Sequence, residues 1–231
     1  WKSYFKLVAI YTFFMSVFIS FIIQINKRFG PGVVLPLILG KYVYPNIEER
    51  AFIFLDLTSS TAHAEKLGHV KYSKLIRDCI SDINQVCIPY QAEIYQYVGD
   101  EIVLSWLIDH DTDLLRSIDL YFACQAGFNN RKEYYLNKYE IFPQFKAGLH
   151  KGVVTRVEVG EIKRELAFHG DTLNVAARIL AKCNEFGADI LISKAVYENL
   201  NPENPYHYEL IGTVDLKGRA KPVTIYKVTL V

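Results

Sequence analysis

Two aspartates, Asp56 and Asp100, fall where a carboxylate can do chemistry. Asp56 stands near the end of the apolar run Ala51–Leu57 (AFIFLDL), which predicts a strand buried on both faces. A charge there is unfavourable unless something compensates it. Asp100 lies in Val98-Gly99-Asp100-Glu101, a hairpin signal between the runs Glu93–Tyr97 and Ile102–Leu107. Brought together, the two carboxylates suit one or two magnesium ions, which favour a few carboxylate oxygens plus substrate phosphates over a full protein cage. Two metals can stabilise both the attacking and the leaving oxygen of a phosphoryl displacement. Farther along, Asn174 and Arg178 are four apart on an expected helix and share a face. An amide beside a guanidinium suits a sugar oxygen and a charged phosphate. Lys217, in the Leu216-Lys217-Gly218 turn, is a candidate phosphate ligand. Each residue alone also fits a plainer role: a helix-capping acid, a turn former, a solvated helix face, a surface lysine.

The elements that must position these residues alternate. After the first strand, Thr58-Ser59-Ser60-Thr61 supplies capping hydroxyls for a helix reaching roughly Val86. Asp113–Tyr139 has helical spacing, and Phe145–Val159 reads as strand, turn, strand, with Gly148 and Gly152 marking close backbone approach or twist. Thr172–Cys183 is an expected helix, Asp189–Ile192 a strand and Lys194–Leu200 a short helix. Tyr206–Ile211 and Val223–Val228 are expected strands. Such a mixture implies helices packed on a mainly antiparallel sheet.

Composition narrows the function classes. The 231 residues are 51% hydrophobic and 22% charged, which fits a folded domain rather than disorder. Lys+Arg number 26 against 25 Asp+Glu, without a basic stripe, so the footprint of a nucleic-acid binder is missing. Cys79, Cys87, Cys124 and Cys183 form no CxxC pair and read as reduced core residues. His63, His69, His150 and His169 have no partner at zinc-ligand spacing. From Leu7 to Ile25 no side chain is ionisable, and that length matches the roughly 20 apolar residues of a bilayer-spanning helix. Trp1, Tyr4, Phe5 and the pair Lys27-Arg28 suit interfacial anchoring, while Lys2 and Lys6 at the other end leave orientation open. The first residue is Trp1 rather than Met, so the chain is expected to continue upstream. The expected organisation is a membrane helix with basic flank over 1–28, a Gly/Pro-containing connector over 29–48 with an apolar turn at Val33–Leu39, and a catalytic domain over 49–231.

Five blocks occur in order: FLDLTSST at 54–61, YVGDEIV at 97–103, FKAGLHKGVV at 145–154, FHGDTLNVAARI at 168–179 and DLKGRAKPVTIY at 215–226. Together they resemble the motif series of class III adenylyl and guanylyl cyclases, over about four-fifths of the chain. The resemblance implies an α+β catalytic domain with a ferredoxin-like, palm-type core, and conversion of a nucleoside triphosphate, ATP by preference, into its 3′,5′-cyclic monophosphate. It assigns metal binding to Asp56, Asp100 and the carbonyl of Leu57, with two Mg²⁺ or Mn²⁺ ions per site. Asn174 and Arg178 match the pair that orients the ribose and stabilises charge at the α-phosphate, and Lys217 the lysine that holds the terminal phosphates. A full set in one chain implies a homodimer with active sites across the interface, anchored to the inner or plasma membrane with the catalytic domain cytoplasmic.

The pattern departs at base recognition. Adenylyl members typically have Lys four residues before the second metal Asp, and guanylyl members Glu; here it is Gln96. Seven before the Asn, adenylyl members commonly have Asp, and this chain has Ala167. Gln offers both donor and acceptor, and Ala offers neither. A guanylyl or dual-specificity cyclase therefore stands as an alternative, as does a degenerate cyclase-like domain that only dimerises and relays a signal. A diguanylate cyclase fits less well, because Tyr97-Val98-Gly99-Asp100-Glu101 lacks paired glycines.

Overall fold

A single strand with apolar residues on both faces organises the protein. In the computed structural model, which describes residues 1–29, 44–109, 114–162, 165–215 and 222–231, β1 spans Asn46–Leu57. Its side chains alternate between two cores, as the two-residue strand period requires. Ala51, Ile53, Leu55 and Leu57 enter one core, and Phe52 and Phe54 the other. The expectation of a strand buried on both faces holds.

Two compact units divide the chain: Trp1–Asn46 with Val157–Ala167, and Ile47–Arg156 with Phe168–Val231. In the first unit, helix α1 (Lys2–Phe29) carries the apolar stretch Lys2–Ile25, 24 residues containing an 18-residue window of mean hydropathy 2.2 with none of that window buried. It is long and apolar enough to cross a membrane. The expected connector, with its turn at Val33–Leu39, lies largely outside the described residues.

After β1 come α2 (Ser60–Cys87), β2 (Glu93–Val98), β3 (Glu101–Leu107), α3 (Leu115–Asn130), α4 (Lys132–Tyr139), β4 (Phe145–Val159) and β5 (Glu165–His169). Helix α5 (Asp171–Lys182), β6 (Ile190–Ser193), α6 (Lys194–Tyr197), β7 (Tyr206–Val214) and β8 (Val223–Leu230) follow. The sheet order is β2-β3-β1-β4-β6-β8-β7, with β5 paired to β4. The β1–β3, β2–β3, β6–β8 and β7–β8 pairs are antiparallel, and β4–β6 is parallel. On one face Leu75, Cys79 and Ile83 of α2 pack with Ile118, Tyr121 and Phe128 of α3 and Tyr135 and Tyr139 of α4. On the other, α5 supplies Val175, Ala176, Ile179 and Leu180. All four cysteines are buried and free.

Three local expectations are corrected. The segment Phe145–Val159 is one 15-residue strand without an internal turn. Its glycines make room instead of turning the chain: a Cβ on Gly148 would lie 2.3 Å from Leu180 N and 2.6 Å from Ala176 O. The helical spacing over 113–139 belongs to two helices separated at Arg131 (φ −106°, ψ 15°). Arg131 pairs with Asp82 of α2, a tertiary contact that no local signal announces, and covers the Tyr134 ring of the following turn at 4.2 Å. Finally, the hydroxyls before α2 do not cap it. Ser59 stands at the N-cap in a left-handed conformation (φ 58°, ψ 32°), without a side-chain capping bond.

Candidate active site

The hairpin between β2 and β3 delivers Asp100 to Asp56. Leu55 of β1 is opposite Ile102 of β3, so Asp56 is one residue past that pair and Asp100 two residues before it. Val98 is opposite Glu101, leaving Gly99 and Asp100 as the turn. Gly99 has φ 65°, a conformation in which a side chain would be strained, and it allows two residues to close the hairpin.

The two carboxyl groups meet. Burial raises the Asp56 carboxyl to about 6, helped by the charge of Asp100 and a side-chain hydrogen bond with it, while the Leu57 backbone N–H works in the opposite direction. Burial and then the charges of Asp56 and Asp100 also raise Glu101. Burial, followed by the charge of Asp100, raises the hydroxyl of Tyr72 on α2. Two carboxylates crowded together in this way favour a cation between them.

The donors suit such an ion. Asp100 Oδ2 is buried without a hydrogen-bond partner, as is Thr58 Oγ1 nearby in the chain. Leu57 points its side chain into the core, 1% exposed, leaving only its backbone available. Among the described residues no group of three or more His, Cys, Asp or Glu side chains forms a closed metal cage. Two carboxylates with a backbone oxygen are the donor set that leaves a magnesium ion open to phosphate oxygens.

Helix α5 positions Asn174 and Arg178. It lies tight on β4 at Gly148, and Thr172 Oγ1 in its first turn donates to the Val153 carbonyl at 2.9 Å. With Val175, Ala176, Ile179 and Leu180 buried, Asn174 is exposed and Arg178 half-buried. Arg178 Nη1 is buried without a hydrogen-bond partner, a charged donor suited to an anion. The structure brings Asp56 to Asp100 and sets Asn174 beside Arg178. Among the described residues no hydrogen bond or ion pair joins these two pairs. Lys217 lies outside the described residues.

Gln96 is exposed on β2, opposite Val103, beyond a register irregularity between Ile94 and Gln96. Ala167 is half-buried on β5. Their chain neighbours Tyr95 and Phe168 meet edge to face, with ring centroids 5.0 Å apart, and the Phe168 N–H approaches the Tyr95 hydroxyl at 3.5 Å.

Sequence reasoning missed a buried charged cluster beside these rings. Arg50 is fully buried, with Nη1 and Nη2 donating to Glu93 Oε2 at 3.0 and 2.6 Å and Nη1 to Ser105 Oγ at 3.1 Å. Its Nε lies 3.3 Å from Glu48 Oε2, and its guanidinium 4.8 Å from the Phe168 ring centroid. Arg156, also buried, sits 5.5 Å from the same ring and 3.9 Å from Glu48. Glu48-Glu49-Arg50 reads like a solvated charge cluster; only its place before a run buried on both faces hinted otherwise.

Comparison with known proteins identifies the family and the fold. The family model described as the adenylate and guanylate cyclase catalytic domain matches residues 43–229. Adenylate cyclase 2 of Rhizobium meliloti is 28% identical over 222 residues, covering 96% of this chain and 61% of the relative. Adenylate cyclase of Anabaena cylindrica is 26% identical, covering 87% of this chain and 42% of the relative. The chain thus spans less than two thirds of the length of these relatives. The adenylyl cyclase CyaB from P. aeruginosa has the same fold, with a TM-score of 0.70 at 19% identity over 80% of this chain and 96% of that one.

Proposed function

Because the chain belongs to the adenylate and guanylate cyclase catalytic domain family, we propose that it converts ATP into 3′,5′-cyclic AMP and pyrophosphate. The observation that carries this reading is the Asp56–Asp100 pair, which strand pairing sets at the same end of β1 and β3, with a buried, unpartnered oxygen on Asp100.

The ribose 3′-oxygen attacks the α-phosphorus as the bond to the β-phosphate oxygen breaks. The hydroxyl proton passes to water or to a phosphate oxygen. Such a displacement needs alignment and charge neutralisation more than covalent help. Asp56, Asp100 and the Leu57 carbonyl would hold two divalent cations, Mg²⁺ or Mn²⁺, which when bound offset phosphate charge and favour the 3′-alkoxide. Asn174 orients the ribose. Arg178 donates to the α-phosphate, strengthening as charge grows there, and Lys217 holds the terminal phosphates.

The cyclase motif series, complete in one chain, supports a homodimer in which each site takes the aspartate pair from one subunit and the Asn174/Arg178 pair from the other. Helix α1 is read as a membrane anchor, joined by a connector to a catalytic domain on the cytoplasmic side. The second reading, use of GTP or of both nucleotides, rests on Gln96, whose amide both donates and accepts and so matches an adenine or a guanine edge.

Incubating the chain with ATP or GTP, each with Mg²⁺ or Mn²⁺, tests the assignment. Cyclic AMP is the expected main product. Cyclic GMP alone would move the substrate to GTP, and no cyclic mononucleotide from either would overturn the enzyme reading.

A further inference from the structure

We propose that Arg50 is a positioning residue for nucleotide recognition, holding edge strand β2 and the Phe168 ring where the base is read; this rests on the cyclase reading above. The strand β2 ends the sheet and hydrogen-bonds only to β3 along it. Its register is irregular between Ile94 and Gln96, so ladder bonds alone do not define how Gln96 is presented. Glu93, three residues before Gln96, is gripped by both terminal nitrogens of Arg50. Tyr95 leans on Phe168, and Phe168 in turn lies against Phe52 at 5.3 Å and under the Arg50 guanidinium at 4.8 Å. One buried side chain therefore touches both segments that carry the assigned base-reading positions.

A plain stabilising role is the competing account. A fully buried guanidinium is a poor source of stability, since its desolvation offsets much of what its partners return. What a planar fork does supply is direction: it holds a carboxylate and an aromatic face at fixed angles. Truncating Glu93, whose side chain is 46% exposed, removes the closest carboxylate of the buried guanidinium and leaves it Glu48 at 3.3 Å, so the melt is read beside the kinetics.

The test compares Glu93→Ala, Arg50→Met and Arg50→Lys in the full chain, with steady-state kinetics on ATP and on GTP and a thermal melt of each protein. For folded variants KM for ATP is expected to rise about tenfold with kcat within about threefold, the signature of lost binding rather than lost chemistry. The ratio of kcat/KM for ATP over GTP should fall toward one. Arg50→Lys, which keeps the charge but not the fork, should behave like Arg50→Met, while Glu93→Gln, which keeps an acceptor, should recover part of the affinity. Folded Glu93→Ala and Arg50→Lys with KM and the ATP/GTP ratio within about twofold of wild type, or with only the melting temperature lowered, would overturn the positioning role. A wild-type chain that cyclises neither nucleotide would instead sink the cyclase reading itself.

Discussion

The charge of Asp100, at the tip of the β2–β3 hairpin, adds to burial in raising the carboxyl of Asp56 at the end of β1, although 43 residues separate the two in the chain. Their mutual repulsion opposes the fold that brings them together, and a cation between them would relieve it. Metal should therefore act on stability as well as on turnover. Adding Mg²⁺ or Mn²⁺ at about 100 times its Kd to metal-free protein should add about 2.7 kcal/mol, read as a rise in melting temperature. Asp100→Ala should abolish that rise and lower cyclase activity by more than about 100-fold. An unchanged rise would remove the pair from the metal site.

The proposed sharing of each site between two subunits makes a different prediction. Asn174→Ala and Arg178→Ala should each lower kcat by about 10²–10³-fold while nucleotide binding persists, as expected for donors that strengthen in the transition state. Mixing Asp56→Ala with Asn174→Ala chains should restore part of the activity by rebuilding one intact site per heterodimer. Verified heterodimers without activity would count against shared sites.

Gly148 governs how closely α5 approaches the sheet. A methyl group there would fall 2.3 Å from Leu180 N and 2.6 Å from Ala176 O, both backbone atoms that can yield only if the helix moves. Gly148→Ala should lose about 3 kcal/mol, at the upper end of ordinary overpacking, measured by urea denaturation. Because α5 carries Asn174 and Arg178, activity should fall more than the folded fraction does. Gly127→Ala, with nothing within 4 Å of the added carbon, is the control.

Acid should loosen the packing of α2 against α4. Asp78 Oδ2 accepts from the hydroxyls of Tyr134 and Tyr139 at 2.7 and 2.6 Å and from Lys138 Nζ at 2.8 Å. Burial pushes this carboxyl up, but those hydrogen bonds outweigh it and hold it well below its ordinary value of 3.8. A carboxyl depressed in the folded state contributes stability above its unfolded value and loses it as pH falls. Unfolding free energy should thus decline below about pH 4, and Asp78→Asn should flatten that decline while costing about 1–3 kcal/mol at neutral pH. Denaturant titrations at pH 7, 4 and 3 provide the check.

The parts legible in the sequence are those with local signatures. The run Ala51–Leu57 announced a strand with two apolar faces, and Val98-Gly99-Asp100-Glu101 a hairpin. Gly148 and Gly152 marked close approach, yet whether the chain turned there depended on a helix more than twenty residues downstream. The break at Arg131 coincides with its ion pair to Asp82 of α2, a partner 49 residues away that helical spacing cannot reveal. Arg50 was illegible for the same reason: its burial comes from Glu93, Ser105 and Phe168, each on another strand. Nor does the sequence indicate that Asp56 and Asp100 touch; it places each at an end or a tip, and strand pairing closes the gap.

The four native cysteines open an experimental route. Burial pushes the thiols of Cys79, Cys87 and Cys183 up to about 12, and raises Cys124 as well. At neutral pH such thiols carry almost no thiolate and resist maleimide or methanethiosulfonate reagents. A cysteine introduced at Val98, 52% exposed beside the hairpin turn, would therefore be the preferred point of attachment for a spin or fluorescent label. Distances between labels in the proposed homodimer could then be followed during nucleotide addition without first stripping the natural sulfur from the protein.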